Sequence, residues 1–212
     1  MRASLAVVAL LAAGACAVPG YPPPWVTSAA AALQLLVGER SHASCVPIDC
    51  RPLPGGGYLV VFLTARHAVE VGNVRLRTDD GAVTGPPAVV RPHPELDAAL
   101  VAFVLDRPAF AVPLRESPLR LGEPAWVSGY GGGKGYWISQ GLVCGSSRVS
   151  APTAPGDSGG AVLDAEGRLI GIVEAIEYGT SSLSPFPQLV HHHTLHVPVR
   201  DMLQWVRSSI GR

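Results

Sequence analysis

The feature that most constrains this chain is a succession of short apolar runs, none longer than nine residues and most closed by glycine or proline. They fall at 58–63, 73–77, 87–91, 98–104, 124–128, 136–144, 161–164, 168–176 and 189–197. Runs of this length and spacing predict strands joined by turns, and hence a barrel or sandwich. Two stretches break the pattern. From Trp25 to Arg40 the apolar positions Val26, Ala29, Ala30, Leu33, Leu36 and Val37 recur at helical spacing, which predicts an N-terminal helix capped by Thr27 or Ser28. From Pro198 to Ile210 the same period returns through Val199, Met202, Leu203, Val206 and Ile210, with proline suited to a helix start. At 212 residues the chain fits one all-β unit, in one or two lobes.

Composition removes some functions. Formal net charge is zero, and no lysine or arginine block supplies the footprint of a nucleic-acid binder. The Gly129–Gly135 segment is glycine-rich but lacks the Gly-Lys-Ser/Thr ending of a phosphate loop, so it reads as a surface turn. At the N-terminus, Arg2 precedes an apolar run over residues 3–13 and small residues at 14–17. That pattern predicts an export signal over residues 1–17, with cleavage after Ala15 and after Ala17 both fitting. Cys16 adds a lipoprotein alternative, in which a lipid anchor at Cys16 is the sole membrane contact. Four prolines in residues 18–24 read as a linker, leaving 25–212 as the folded domain. Export permits disulfides. Cys45 and Cys50 are close enough in sequence to staple one loop, which leaves Cys144 either a buried thiol or the partner of one of them. No second cysteine pair or suitably spaced histidine points to a metal, and three consecutive strand histidines cannot all face one ion.

The chemistry-bearing residues lie in three places. Gly156-Asp157-Ser158-Gly159-Gly160 sets a serine in a glycine turn ahead of the apolar Ala161-Val162-Leu163. Glycines there allow close approach of a substrate backbone, so the N–H groups of Gly156 and Ser158 can meet a developing oxyanion. Serine is a weak nucleophile unless a base takes its proton, and the base needs a third group to hold it. His67, in Thr64-Ala65-Arg66-His67, follows an apolar strand and supplies the base; Asp97, heading Ala98-Ala99-Leu100-Val101, supplies the orienting acid.

The order His, Asp, Ser within these three motifs resembles the trypsin/chymotrypsin superfamily over about residues 53–207. The resemblance implies two six-stranded β-barrels with the site in the cleft between them. It also implies a monomeric serine endopeptidase without cofactors that acts on protein or peptide through an acyl-enzyme, with His67, Asp97 and Ser158 as the triad and Gly156 and Ser158 as oxyanion donors. The pattern is closest to bacterial, HtrA-type enzymes, which have few cysteines and a strand similar to Leu195-His196-Val197-Pro198. It implies secretion or a place in the cell envelope. No room remains after the catalytic unit for the peptide-binding domain of HtrA-type enzymes. The activation terminus of the digestive enzymes is not matched, so the partner of Asp157 is open. In the family the residue six before the nucleophile sets the pocket base; here it is Pro152, which argues against a Lys/Arg preference there. Thr153, Glu174 and His193 complete the implied pocket, and a histidine among His191, His192, His193 and His196 offers one way to read an acidic side chain. The rival readings are a catalytically silent protease-fold binding protein and, last, an esterase, for which the serine should precede a helix.

Overall fold

The computed structural model describes residues 33–38, 41–78, 80–133, 135–180 and 189–211. The expected signal and linker, residues 1–24, lie outside the described residues. Among the described residues twelve strands form two lobes. The first is a six-stranded sheet in the order β4-β1-β2-β3-β6-β5, built from β1 (Leu33–Val37), β2 (Ser41–Pro52), β3 (Tyr58–Thr64), β4 (Val74–Arg77), β5 (Val89–Pro92) and β6 (Ala99–Leu105). The second is a closed barrel in the order β10-β11-β12-β9-β8-β7, built from β7 (Pro124–Gly129), β8 (Trp137–Gly145), β9 (Arg148–Val149), β10 (Ala161–Leu163), β11 (Leu169–Thr180) and β12 (Leu189–Pro198). Two helices complete the set: α1 (Arg66–Glu70) and the C-terminal α2 (Val199–Ile210).

Three expectations are corrected. One lobe closes as a barrel, but the other is an open sheet among the described residues, because its two edge strands, β4 and β5, do not pair with each other. Gly85, Pro86 and Pro87 lead into β5, and proline has no N–H to give a ladder. The helix expected over 25–40 is overturned at Leu33–Val37, which is strand β1, while 25–32 lie outside the described residues. Leu35 and Val37 turn inward at a spacing of two, and β1 is paired on both sides, by β2 and β4; tertiary pairing overrides the helical period. The cysteines form no disulfide among the described residues. Cys45 and Cys50 lie on one extended strand, where five residues span about 16 Å, beyond the reach of one bridge. Cys144 is exposed instead of buried, since it alternates with the inward Val143 on β8.

Three apolar layers hold these elements. Leu35, Val60, Phe62, Leu76, Val101 and Phe103 fill the first lobe; Val127, Val143, Val149, Val162, Ile170 and Val173 fill the barrel. Between the lobes, Val46, Leu63, Ala98 and Leu100 meet Leu163, Leu169 and Ile172, and α2 adds Met202 and Val206, one helical turn apart.

His196 of β12 is fully buried, packed on Gly171, and neither ring nitrogen has a partner among the described residues. Burial pushes its pKa down from 6.5 to about 4. The folded value lies below the unfolded one, so protonation favours unfolding. Its contribution is complete above pH 6.5 and lost as pH falls toward 4, amounting to about 3 kcal/mol. Urea midpoints followed from pH 7 to 4 should therefore fall more steeply for the wild type than for His196→Leu. Parallel curves would contradict this.

Candidate active site

The expected site residues gather where the inter-lobe layer meets the ends of β3, β6 and β10. Thr64 closes β3, and its buried hydroxyl donates to the Ser44 carbonyl at 2.8 Å. The chain then turns into α1, which buries Ala68 and Val69 and leaves His67 half-exposed. Asp97 arrives on the turn between β5 and β6. That turn is organised by His93, whose Nδ1 accepts from the N–H groups of Glu95 at 3.1 Å and Leu96 at 3.0 Å. The His93 carbonyl accepts from Arg66 at 3.3 Å, and its ring meets Trp205 of α2 edge-on at 4.8 Å.

Asp97 holds His67 by two bonds: Oδ1 accepts from the His67 backbone N–H at 2.9 Å, and Oδ2 lies 2.7 Å from Nδ1. Burial disfavours the Asp97 carboxylate, but the hydrogen bonds from His67 and the charges of His67 and Arg66 outweigh it, so its pKa stays below the usual range. An ionised carboxylate only accepts, so Nδ1 carries a proton and, in the neutral ring, Nε2 presents a lone pair. The Asp97 hydrogen bond raises the His67 pKa against the opposing effect of burial, with the charges of Asp97, Glu174 and Glu70 adding to the rise.

The serine turn is fastened to both lobes. Gly159 donates to Val173 at 2.7 Å and Gly160 accepts from Val173 at 2.9 Å, which ties the turn to β11. On the other side Ser44 donates its N–H to the Ser158 carbonyl at 2.8 Å. Gly159 has a φ of +81°, and a Cβ there would meet the Ser44 carbonyl at 2.2 Å, Thr64 Oγ1 at 2.3 Å and Ala65 N at 2.8 Å. The backbone beside Ser158 thus lies directly on the segment that leads into His67. Among the described residues the half-buried Ser158 hydroxyl makes no hydrogen bond, including none to His67.

Gly156 adopts a φ of +103° with its N–H aimed by its neighbour. The Pro155 carbonyl accepts from Gly132 at 2.8 Å, and a trans peptide points its N–H opposite to its C=O, so the Gly156 N–H faces away from the Gly131–Gly133 turn. The Gly156 carbonyl is held in turn by the Ser44 hydroxyl at 2.9 Å, which itself accepts from Tyr130 N–H at 3.0 Å. Asp157, whose partner the sequence left open, is fully buried and accepts from the Trp137 indole at 2.9 Å, from Ala154 N–H at 2.8 Å and from the Gly131 backbone. Burial raises its pKa, while those donors and nearby His42 lower it by less.

Of the implied pocket residues, Pro152 is exposed and its carbonyl accepts from Ser139 at 2.6 Å, while Thr153 is buried with its hydroxyl 3.3 Å from that of Thr194. His193 lies on β12 opposite Glu177, and Glu174 lies on β11. His196 is wholly enclosed, so it does not reach a substrate groove. Sequence reasoning missed Ser44, His93 and Trp137; none carries a motif, and each acts through contacts distant in the chain. No group of three metal-ligating side chains forms among the described residues.

The trypsin-like peptidase domain family matches residues 48–172. No curated protein matches. Among solved structures, the chain is similar to a serine endoprotease from Yersinia pestis, with a TM-score of 0.63 and 17% identity over 85% of this chain and 62% of that one. It is also similar to the HtrA-type protease AlgW with a tripeptide, with a TM-score of 0.64 and 24% identity over 87% of this chain and 62% of the other. The same protease with a decapeptide gives 0.63 and 22% over 86% and 64%. The chain thus spans somewhat less than two thirds of these proteins. A family match across more than half of its residues makes this chain a member of the trypsin-like peptidase family.

Proposed function

We propose that the chain is an exported serine endopeptidase that hydrolyses peptide bonds through Ser158, His67 and Asp97. The observation that carries the reading is the His67–Asp97 pair, with Nδ1 and Oδ2 2.7 Å apart, beside the serine turn packed on Thr64 and Ala65. In this reading His67 Nε2 takes the Ser158 proton as Oγ attacks the scissile carbonyl carbon. The oxyanion accepts hydrogen bonds from Gly156 and Ser158 N–H, and Asp97 stabilises the imidazolium. His67 then returns the proton to the leaving amine, and water attacks the acyl-enzyme by the same base. The peptides held by the HtrA-type relative support a peptide substrate. An envelope or secreted location rests on the signal pattern of residues 1–17 alone.

Activity requires neutral His67, so kcat/KM should rise with pH through a group above 6.5, in the direction its Asp97 bond imposes. Asp97→Asn should lower kcat about 10⁴-fold and move that limb down in pH, because the main cause of the raised value is gone. A pH–rate profile on a peptide library checks both. A flat profile would overturn the role of His67. The unbonded Ser158 hydroxyl is what favours the second reading, a silent binding protein; sequence-independent absence of cleavage would select it, although such bonds often form only with substrate bound.

A further inference from the structure

Glu174 is the one carboxylate among the implied pocket residues, and its position has no use in the mechanism above. Its neighbour Val173 is locked to the serine turn through Gly159 and Gly160 at 2.7 and 2.9 Å. The β11–β12 ladder then gains a residue: Val173 faces His196 and Ala175 faces Leu195, so Glu174 is the extra residue of a bulge. Bulges re-aim a side chain and are favoured beside active sites. Ile172, two residues earlier, packs in the inter-lobe layer together with Ala98, the neighbour of Asp97. Glu174 is half-buried and accepts no hydrogen bond among the described residues.

The charges around it do not balance. Burial and then the Asp97 charge push the Glu174 acid up, while His67 pulls it down. Glu70 adds a further negative charge near His67. Arg66, which lies near Asp97, is already engaged by Glu70 at 3.1 Å and by the His93 carbonyl at 3.3 Å. A carboxylate partly withdrawn from water, without donors and beside a second carboxylate, is relieved by a cation brought from outside.

On the peptidase reading above, we infer that Glu174 is a specificity determinant that favours substrates seating a lysine or arginine side chain beside His67, away from Pro152 and Thr153. The preference is thus compatible with a pocket floor that has no acid. It weakens with salt, as a partly exposed ion pair does.

The test uses peptide pairs that differ only by lysine or norleucine at each position flanking the scissile bond. The wild type should prefer lysine at one position by about tenfold in kcat/KM, and Glu174→Gln should bring the ratio to within about twofold. Equal ratios in the two proteins, or a wild-type preference for norleucine at every position, would overturn the inference. Binding of the same peptides, fluorescently labelled, to Ser158→Ala and to Ser158→Ala with Glu174→Gln gives a readout that needs no turnover. If the wild type cleaves nothing but lysine peptides bind Ser158→Ala more tightly in a Glu174-dependent way, the charge selection stands and the peptidase reading falls. Binding indifferent to both the lysine and Glu174 would overturn the inference.

Discussion

Ser158→Ala is expected to abolish peptide cleavage, lowering kcat by about 10⁵-fold or more while the fold and peptide affinity persist. The expectation follows from how little else could do the work. His67 and Asp97 form a base without a nucleophile of their own, and Ser158 is the hydroxyl carried by the turn that packs on the residues before His67. Removing Oγ would prevent an acyl-enzyme but leave the Gly156 and Ser158 N–H groups, whose directions are set by the bonds of the Pro155 carbonyl to Gly132 and of the Asp157 carbonyl to Gly160. A remnant rate above that of water is expected from those donors. Circular dichroism and peptide binding should match the wild type; a variant with a tenth of wild-type activity would show that another group performs the attack.

Gly159→Ala is expected to be strongly disruptive for a change of one methyl group. The added Cβ would lie 2.2 Å from the Ser44 carbonyl in β2 and 2.8 Å from Ala65 N at the start of α1, both backbone atoms, at a φ of +81° that alanine rarely adopts. Neither side can yield cheaply, because Ser44 also holds Ser158, Gly156, Tyr130 and Thr64. The cost should be about 3 to 5 kcal/mol, read from chemical denaturation, with activity lost beyond what unfolding explains. Gly56→Ala provides the control. Gly56 has a φ of +94° but nothing within 4 Å of a Cβ, so it should cost only about 1 kcal/mol. Similar losses at the two positions would mean that backbone strain, and not contact with Ser44, Thr64 and Ala65, governs the turn.

Much of the fold is legible because short apolar runs end at turn residues. The runs at 58–63 and 98–104 announce β3 and β6 in this way. β1 misleads because Leu33, Leu36 and Val37 also fit a helical spacing, and only pairing with β2 and β4 decides between the two. β2 is hidden for another reason: prolines and polar residues interrupt it, and its bulge between Pro47 and Asp49 breaks the alternation. In the site, the pairing of His67 with Asp97 and the packing of the serine turn on Thr64 and Ala65 join three short motifs that the sequence already sets apart. Their supports carry no such mark. Ser44 reaches Tyr130 and Gly156 across more than eighty residues of chain, and Trp137 satisfies Asp157 of the serine turn from β8. A small hydroxyl or an indole N–H carries no pattern that announces such a partner. Glu174 is intermediate: its place beside the serine comes from a bulge, which spacing alone does not reveal.

The central claim is that Ser158 is a nucleophile activated by His67. Its most direct test is labelling of the protein with a fluorophosphonate at pH 8, followed by peptide mass spectrometry to locate the adduct. The account predicts a single adduct on Ser158 that is absent from Ser158→Ala and strongly slowed in His67→Ala. An adduct on another residue, or labelling that is unchanged in either variant, would contradict it.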